Sequence, residues 1–155
     1  TWVTAQDYLR STEDHNSPTS APGETTASRS MQIIQRTGLP LLAMSYVRGD
    51  YPWEDNLPGS TLHETLADFV WRGLTPLAAL QSATLNPAKM LHATDSLGTV
   101  APGKLADLVL LDADPLTDIT NTMMIRAVVA NGRYFDRTAL NQLLALVRAK
   151  ALIQH

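Results

Sequence analysis

The chain of 155 residues contains no cysteine. That removes disulfides, thiolate-bound zinc and a thiol nucleophile from consideration. Aromatic residues are scarce, at 6%, and no apolar run approaches the roughly 20 residues that a membrane span requires. The first ten residues hold Gln6, Asp7 and Arg10 where a signal peptide would have an apolar stretch. Charge of one sign is also lacking. The net charge is −3, and there is no run of Lys or Arg. Neither nucleic acid nor an anionic membrane surface is an expected partner. The four histidines, His15, His63, His92 and His155, are far apart, so the chain has no His-x-His pair. It has no internal repeat. It begins at Thr1 rather than Met, so it is expected to be processed or to be a piece of something longer. A soluble protein, cytoplasmic rather than secreted, is the expected setting.

What is present is an apolar fraction of 45% and a charged fraction of 17%, the balance of a globular protein long enough to bury a core. Residues 1–30 read as a polar linker or poorly ordered segment, because 11–30 (STEDHNSPTSAPGETTASRS) has almost nothing to bury. Residues 2–9 within it could make a short helical turn. Met31, Ile33 and Ile34 predict a short helix that stops at Gly38. Residues 39–45 (LPLLAMS) read as a buried strand of parallel-sheet type. A loop rich in Pro and Gly follows over 46–60. The next helix is expected to be capped by Thr61, with Glu64 completing a capping box. Its apolar face would be Leu62, Leu66, Phe69 and Val70, and Gly73 would end it. Thr75-Pro76 opens another helix, with Leu77, Leu80, Ala83 and Thr84 on its inner face. Asn86-Pro87 begins a short turn to Leu91.

After Asp95 the pattern changes. Residues 97–100 read as a short strand, Pro102-Gly103 as a turn, and 106–111 (ADLVLL) as a strong strand. Residues 125–130 and 133–135 flank Asn131-Gly132, the strongest two-residue hairpin signal. Thr138 is expected to cap a final helix with Leu140, Leu143, Leu144, Val147 and Leu152 on its apolar side.

Three stretches carry a resemblance: residues 62–91 (LHETLADFVWRGLTPLAALQSATLNPAKML), 97–119 (LGTVAPGKLADLVLLDADPLTDI) and 125–135 (IRAVVANGRYF). In order and spacing they resemble the C-terminal portion of a metal-dependent amidohydrolase, nearest to the imidazolonepropionase-like branch. The likeness runs from about Gly38 to the end. It implies an α/β fold: the C-terminal part of a TIM-type (β/α)8 barrel (its last αβα units), strands of a small β-sandwich, and a C-terminal helix. On that reading residues 31–95 hold the last strand and helices of an incomplete barrel, 96–136 the sandwich strands and 137–155 the final helix. The implied chemistry is hydrolysis of carbon–nitrogen bonds other than ordinary peptide bonds, in a cyclic amide or related small molecule, by metal-activated water. The implied cofactor is a divalent metal, zinc by expectation, held in the full-length enzyme and not tightly by this chain alone.

The resemblance also implies an Asp at the end of the last barrel strand, acting as metal ligand and base. Counting forward from Gly38-Leu39-Pro40 places it at Tyr46. Counting back from Pro58-Gly59 and Leu62-His63-Glu64 places it at Asp50. The two counts differ by four residues, and both positions stay open, with Asp50 the candidate for base and ligand. Asp50 also suits a plain turn, and Arg48-Gly49-Asp50 matches an adhesion tripeptide that recurs by chance. His63 is the candidate for substrate contact, with helix packing as the plainer role. Tyr51 and Trp53 would line the pocket edge or pack on the surface, and Lys104 reads as structural. Two functions follow. One is a hydrolase whose N-terminal half lies elsewhere, inactive as this chain alone. The other is a non-catalytic or degenerate module that folds with a partner chain. A homo-oligomer is compatible with either.

Overall fold

The computed structural model describes residues 33–45 and 60–153. Expectations for residues 1–32, for the 46–59 loop with Tyr46, Asp50, Tyr51 and Trp53, and for His155 lie outside the described residues. A short helix α1 (residues 33–37) stops at Gly38, whose φ is 67°, as its sequence predicts.

Helix α2, Ser60–Trp71, buries Leu66 and Phe69, with Leu62 and Val70 partly covered. It starts one residue before the expected cap. Thr61 lies inside the helix and is 1% exposed. Its Oγ1 is 2.7 Å from Ser45 Oγ, so the predicted capping box is not formed: the hydroxyl serves a contact across the chain instead. The stop at Gly73 is as expected. Gly73 has φ 104°, its N–H donates to Val70 O at 2.9 Å, and that of Leu74 donates to Phe69 O at 3.0 Å. This is a Schellman closure, which glycine makes without Cβ strain.

Helix α3, Pro76–Ala83, is capped as predicted by Thr75, whose Oγ1 accepts from the Ala78 N–H at 3.2 Å. Of its expected inner face, Leu80 and Ala83 pack on the core and the other two do not. Ala79 and Ser82 are fully buried, while Leu77 is 54% exposed and Thr84 faces out. The close approach of α2 and residues 41–43 admits small side chains there. Ser82 tolerates burial because its hydroxyl donates to Ala79 O at 2.6 Å. Helix α4, Leu85–Met90, ends in a second Schellman closure at His92 (φ 53°), with Ala93 N–H to Ala88 O at 2.8 Å.

Residues 39–45, expected as a buried parallel strand, form no strand pairing, and Leu39 and Met44 are exposed. Their polar backbone groups turn to the helices. Ala43 N–H donates to Ser82 O at 3.0 Å, Leu41 O accepts from Asn86 Nδ2 at 2.9 Å, and Met44 O accepts from Thr65 Oγ1 at 3.2 Å. The core joins Leu66, Phe69, Leu74, Ala79 and Ile119, with Leu41 and Ala43 packed on it.

Residues 97–99 are bends and Val100 is irregular, where a strand is expected. They wrap the Lys104 ammonium, which donates to Thr94 O at 2.7 Å, Leu97 O at 3.3 Å and Thr99 Oγ1 at 2.5 Å. Lys104 is structural, as expected. The three-stranded antiparallel sheet runs β1 (Leu108–Leu111), β2 (Ile125–Ala130), β3 (Arg133–Phe135) in spatial order. Asn131 and Gly132 take φ of 49° and 74°, the mirror-image turn that Asn-Gly favours. Asp107 Oδ1 accepts the Asn131 N–H at 2.6 Å, tying the approach to β1 to the hairpin tip. Between β1 and β2, a 3-10 turn (Ile119–Met123) sends Ile119 into the helical core. Helix α5, Arg137–Ile153, lies against β2 and β3. Its cap is Asp136, not Thr138: the Asp136 carboxylate accepts from the Ala139 N–H at 2.8 Å. Leu140 is half-buried, while Leu143, Leu144 and Val147 are exposed. Among the described residues, no helix is long and apolar enough to cross a membrane.

Gly98 tests the packing of the 97–100 bend. A Cβ there would come 2.7 Å from Ala88 Cβ, whereas one at Gly103 would meet nothing within 4 Å. Both have positive φ, 87° and 86°, so each substitution to Ala carries about 1–2 kcal/mol of backbone strain. Gly98→Ala should cost about 1–3 kcal/mol more than Gly103→Ala through overpacking, measured by denaturant unfolding. Equal losses would mean that the Ala88 contact does not require the glycine.

Candidate functional site

The first turn of α2 and the end of the 39–45 segment meet at one place. Thr61 and Ser45 share a hydroxyl–hydroxyl hydrogen bond, and Thr65 Oγ1, two residues past His63, reaches both Thr61 O at 2.8 Å and Met44 O at 3.2 Å. These bonds hold the segment against the helix end, which carries His63 and Glu64. They fix Ser45, the last described residue before 46–59, against the first turns of α2.

His63 is half-buried. Its Nδ1 is sealed from solvent and makes no hydrogen bond. Burial lowers its pKa below the ordinary 6.5, because the charged ring loses hydration that nothing replaces. Glu64 is also half-buried, and burial raises its pKa above the ordinary 4.5. Both groups are thus biased toward their uncharged forms at the same end of α2.

Among the described residues, no three His, Asp or Glu side chains come together to hold a metal ion. His92, exposed at the end of α4, serves as a helix stop. The donor set that a divalent metal needs is therefore not supplied by the described part of this chain.

Against known sequences, the profile of the Amidohydrolase family matches residues 56–134, just over half of the chain. This chain belongs to the amidohydrolase family. It is similar to an adenine deaminase of Rubrobacter xylanophilus, 40% identical over 86 residues that cover 51% of this chain and 14% of that protein. It is also similar to adenine deaminase 4 of Rhizobium meliloti, 31% identical over 106 residues, 68% of this chain and 17% of that protein. Among solved structures it is similar to molinate hydrolase, with TM-score 0.57 and 31% identity over 71% of this chain and 25% of that one. The amidohydrolase chain thus spans a small part of the relatives it matches, about one-sixth of the curated ones.

Of the residues singled out in this amidohydrolase sequence, the structure places His63 in the first turn of α2, between Thr61 and Thr65, which bond to Ser45 and Met44, while Asp50 and Tyr46 lie outside the described residues. The sequence reading missed Ser45, Thr61, Thr65, Ser82 and Asn86 as the polar ties of the site. Their one signal was polar residues recurring on otherwise apolar helix faces. Asn86, before a proline, was legible only as a turn former.

The two shifts give a pH test. His63 has a lowered pKa when folded, so its contribution is present above pH 6.5 and is lost as pH falls from 6.5 through the lowered value. Glu64 acts oppositely: its contribution is present below pH 4.5 and is lost as pH rises from there through the raised value. Unfolding titrations of wild type and His63→Gln should diverge below pH 6.5, with wild type losing stability more steeply. Parallel curves there would mean that the His63 ring is not desolvated.

Proposed function

We propose that the chain is the C-terminal part of a hydrolase acting on carbon–nitrogen bonds other than ordinary peptide bonds, in small cyclic amides and related molecules. The observation that carries this reading is the family match over 56–134, which takes in α2, whose first turn holds His63 and Glu64 beside the segment leading into the Asp50 loop. On this reading residues 39–45 take the place of the last barrel strand and the β1–β3 sheet belongs to a small sandwich. Asp50 is the base that takes a proton from the attacking water, and His63 touches the substrate. The water adds to the carbon of the C–N bond, and the nitrogen leaves with a proton.

A divalent metal, zinc by expectation, would lower the pKa of that water. The described residues do not make a site for it, so its other ligands belong to sequence beyond them, in the same protein or in a partner chain. The exposed apolar residues of α5 and of the sheet, among them Val109, Leu143, Leu144 and Val147, support the presence of further structure against this part. They leave open the reading of a module assembled with a partner chain.

The test is turnover by the full-length protein on a panel that includes adenine, molinate, cyclic amides and acyl-prolines, with release of the amine followed. Asp50→Asn should lower turnover about 10²–10⁴-fold, the range for loss of a general base, and Tyr46→Phe should lower it far less. Near-normal turnover in Asp50→Asn would remove Asp50 from the mechanism. No turnover of any C–N substrate by the full-length protein would favour the non-catalytic module.

A further inference from the structure

The His63 ring has two unlike nitrogens. Nδ1 is sealed from solvent and has no hydrogen-bond partner. Among the described residues Nδ1 is the one buried side-chain polar atom without a partner; Nε2 is not in that condition, and the ring as a whole is half-buried. A neutral imidazole carries its proton on one nitrogen, and an imidazolium carries one on each. A proton on Nδ1 would leave a sealed N–H with no acceptor, the costlier kind of buried orphan. A proton on Nε2 leaves only a bare lone pair in the sealed position and keeps the N–H where another group can reach it.

The hydroxyls on the same turns of α2 do not offer Nδ1 a partner. Thr61 Oγ1 is engaged with Ser45 Oγ, and Thr65 Oγ1 with the carbonyls of Thr61 and Met44.

We infer that His63 stands as the neutral Nε2–H tautomer and that this N–H is a hydrogen-bond donor kept for an uncharged acceptor, the carbonyl oxygen of an amide-type substrate. The substrate half rests on the hydrolase reading proposed above; the tautomer does not. A neutral donor at this position polarises a carbonyl and favours the negative charge that develops on its oxygen when water adds to the carbon. It gives no advantage to a cationic group in the same place. The ring is thus a positioning and selecting group for amide oxygen, separate from the base.

The experiment is nitrogen NMR on the full protein with ring-15N histidine, in which the His63 pair is the one lost in His63→Gln. At pH 7 its Nδ1 should resonate as a bare, pyridine-type nitrogen and its Nε2 as a protonated, pyrrole-type one. A proton on Nδ1, or on both nitrogens at pH 7, overturns the inference. The substrate half is read from KM. Gln places an N–H near the Nε2 position and Asn places one near Nδ1, so His63→Asn should raise KM for an amide substrate about five- to tenfold above His63→Gln, the worth of one hydrogen bond. Equal KM values overturn the donor role even where the tautomer is as inferred. A full-length protein that hydrolyses no amide overturns the substrate half, and the NMR result decides the tautomer independently.

Discussion

Among the described residues, 41–45 are held by side chains and one backbone carbonyl of the helices rather than by strands, and the arrangement of the site follows from that. Leu41 O, Ala43 N–H, Met44 O and the Ser45 hydroxyl find their partners on Asn86, Ser82, Thr65 and Thr61 respectively. A buried backbone group without a partner costs about as much as a lost hydrogen bond, so these ties set the position of the segment along α2 and α3. They also explain two features of the helices. Ser82 has no room for a larger side chain at its 0% exposure, and Thr61 is more useful inside α2 than at its cap. With the segment fixed, the chain must leave it beside the first turn of α2, where His63 and Glu64 sit.

The second half of the chain is organised by two charged side chains that act on backbone. Lys104 gathers residues 94–99 around its ammonium, which lets Gly98 press on α4. Asp107 holds the Asn131 N–H and so pins the hairpin tip to the chain entering β1. Both belong to the PGKLADLVLLD stretch that carries much of the likeness to amidohydrolases, and in this structure each has a local physical reason. Ile119 links the halves by inserting into the α2–α3 core.

Much of this was legible because the signals were local. The Asn131-Gly132 turn, the Gly73 stop and the Thr75-Pro76 start each depend on the conformational range of one or two residues, and each lies where the sequence puts it. The differences arise where another partner wins over the expected local one. Residues 97–100 look like a strand but serve a lysine. Thr61 looks like a cap but bonds to Ser45, and Thr138 yields the capping role to Asp136, whose carboxylate sits at the right distance. On the inner face of α3, Leu80 and Ala83 pack on the core as expected, while Leu77 and Thr84 turn outward and the fully buried positions go to the small Ala79 and Ser82. For the site, the family pattern pointed to His63 as a residue. The sealed Nδ1 that gives the ring its direction follows from packing and has no signal in the sequence.

On the proposed hydrolase reading, a base from residues 46–59 and a neutral donor from the first turn of α2 serve the same substrate. The most direct measurement is an experimental structure of the full-length protein with an amide analogue bound. The account predicts that the Asp50 carboxylate and His63 Nε2 both approach the analogue, directly or through one water. An Asp50 side chain turned away from the side of α2 that carries His63, with the analogue bound elsewhere, would contradict it.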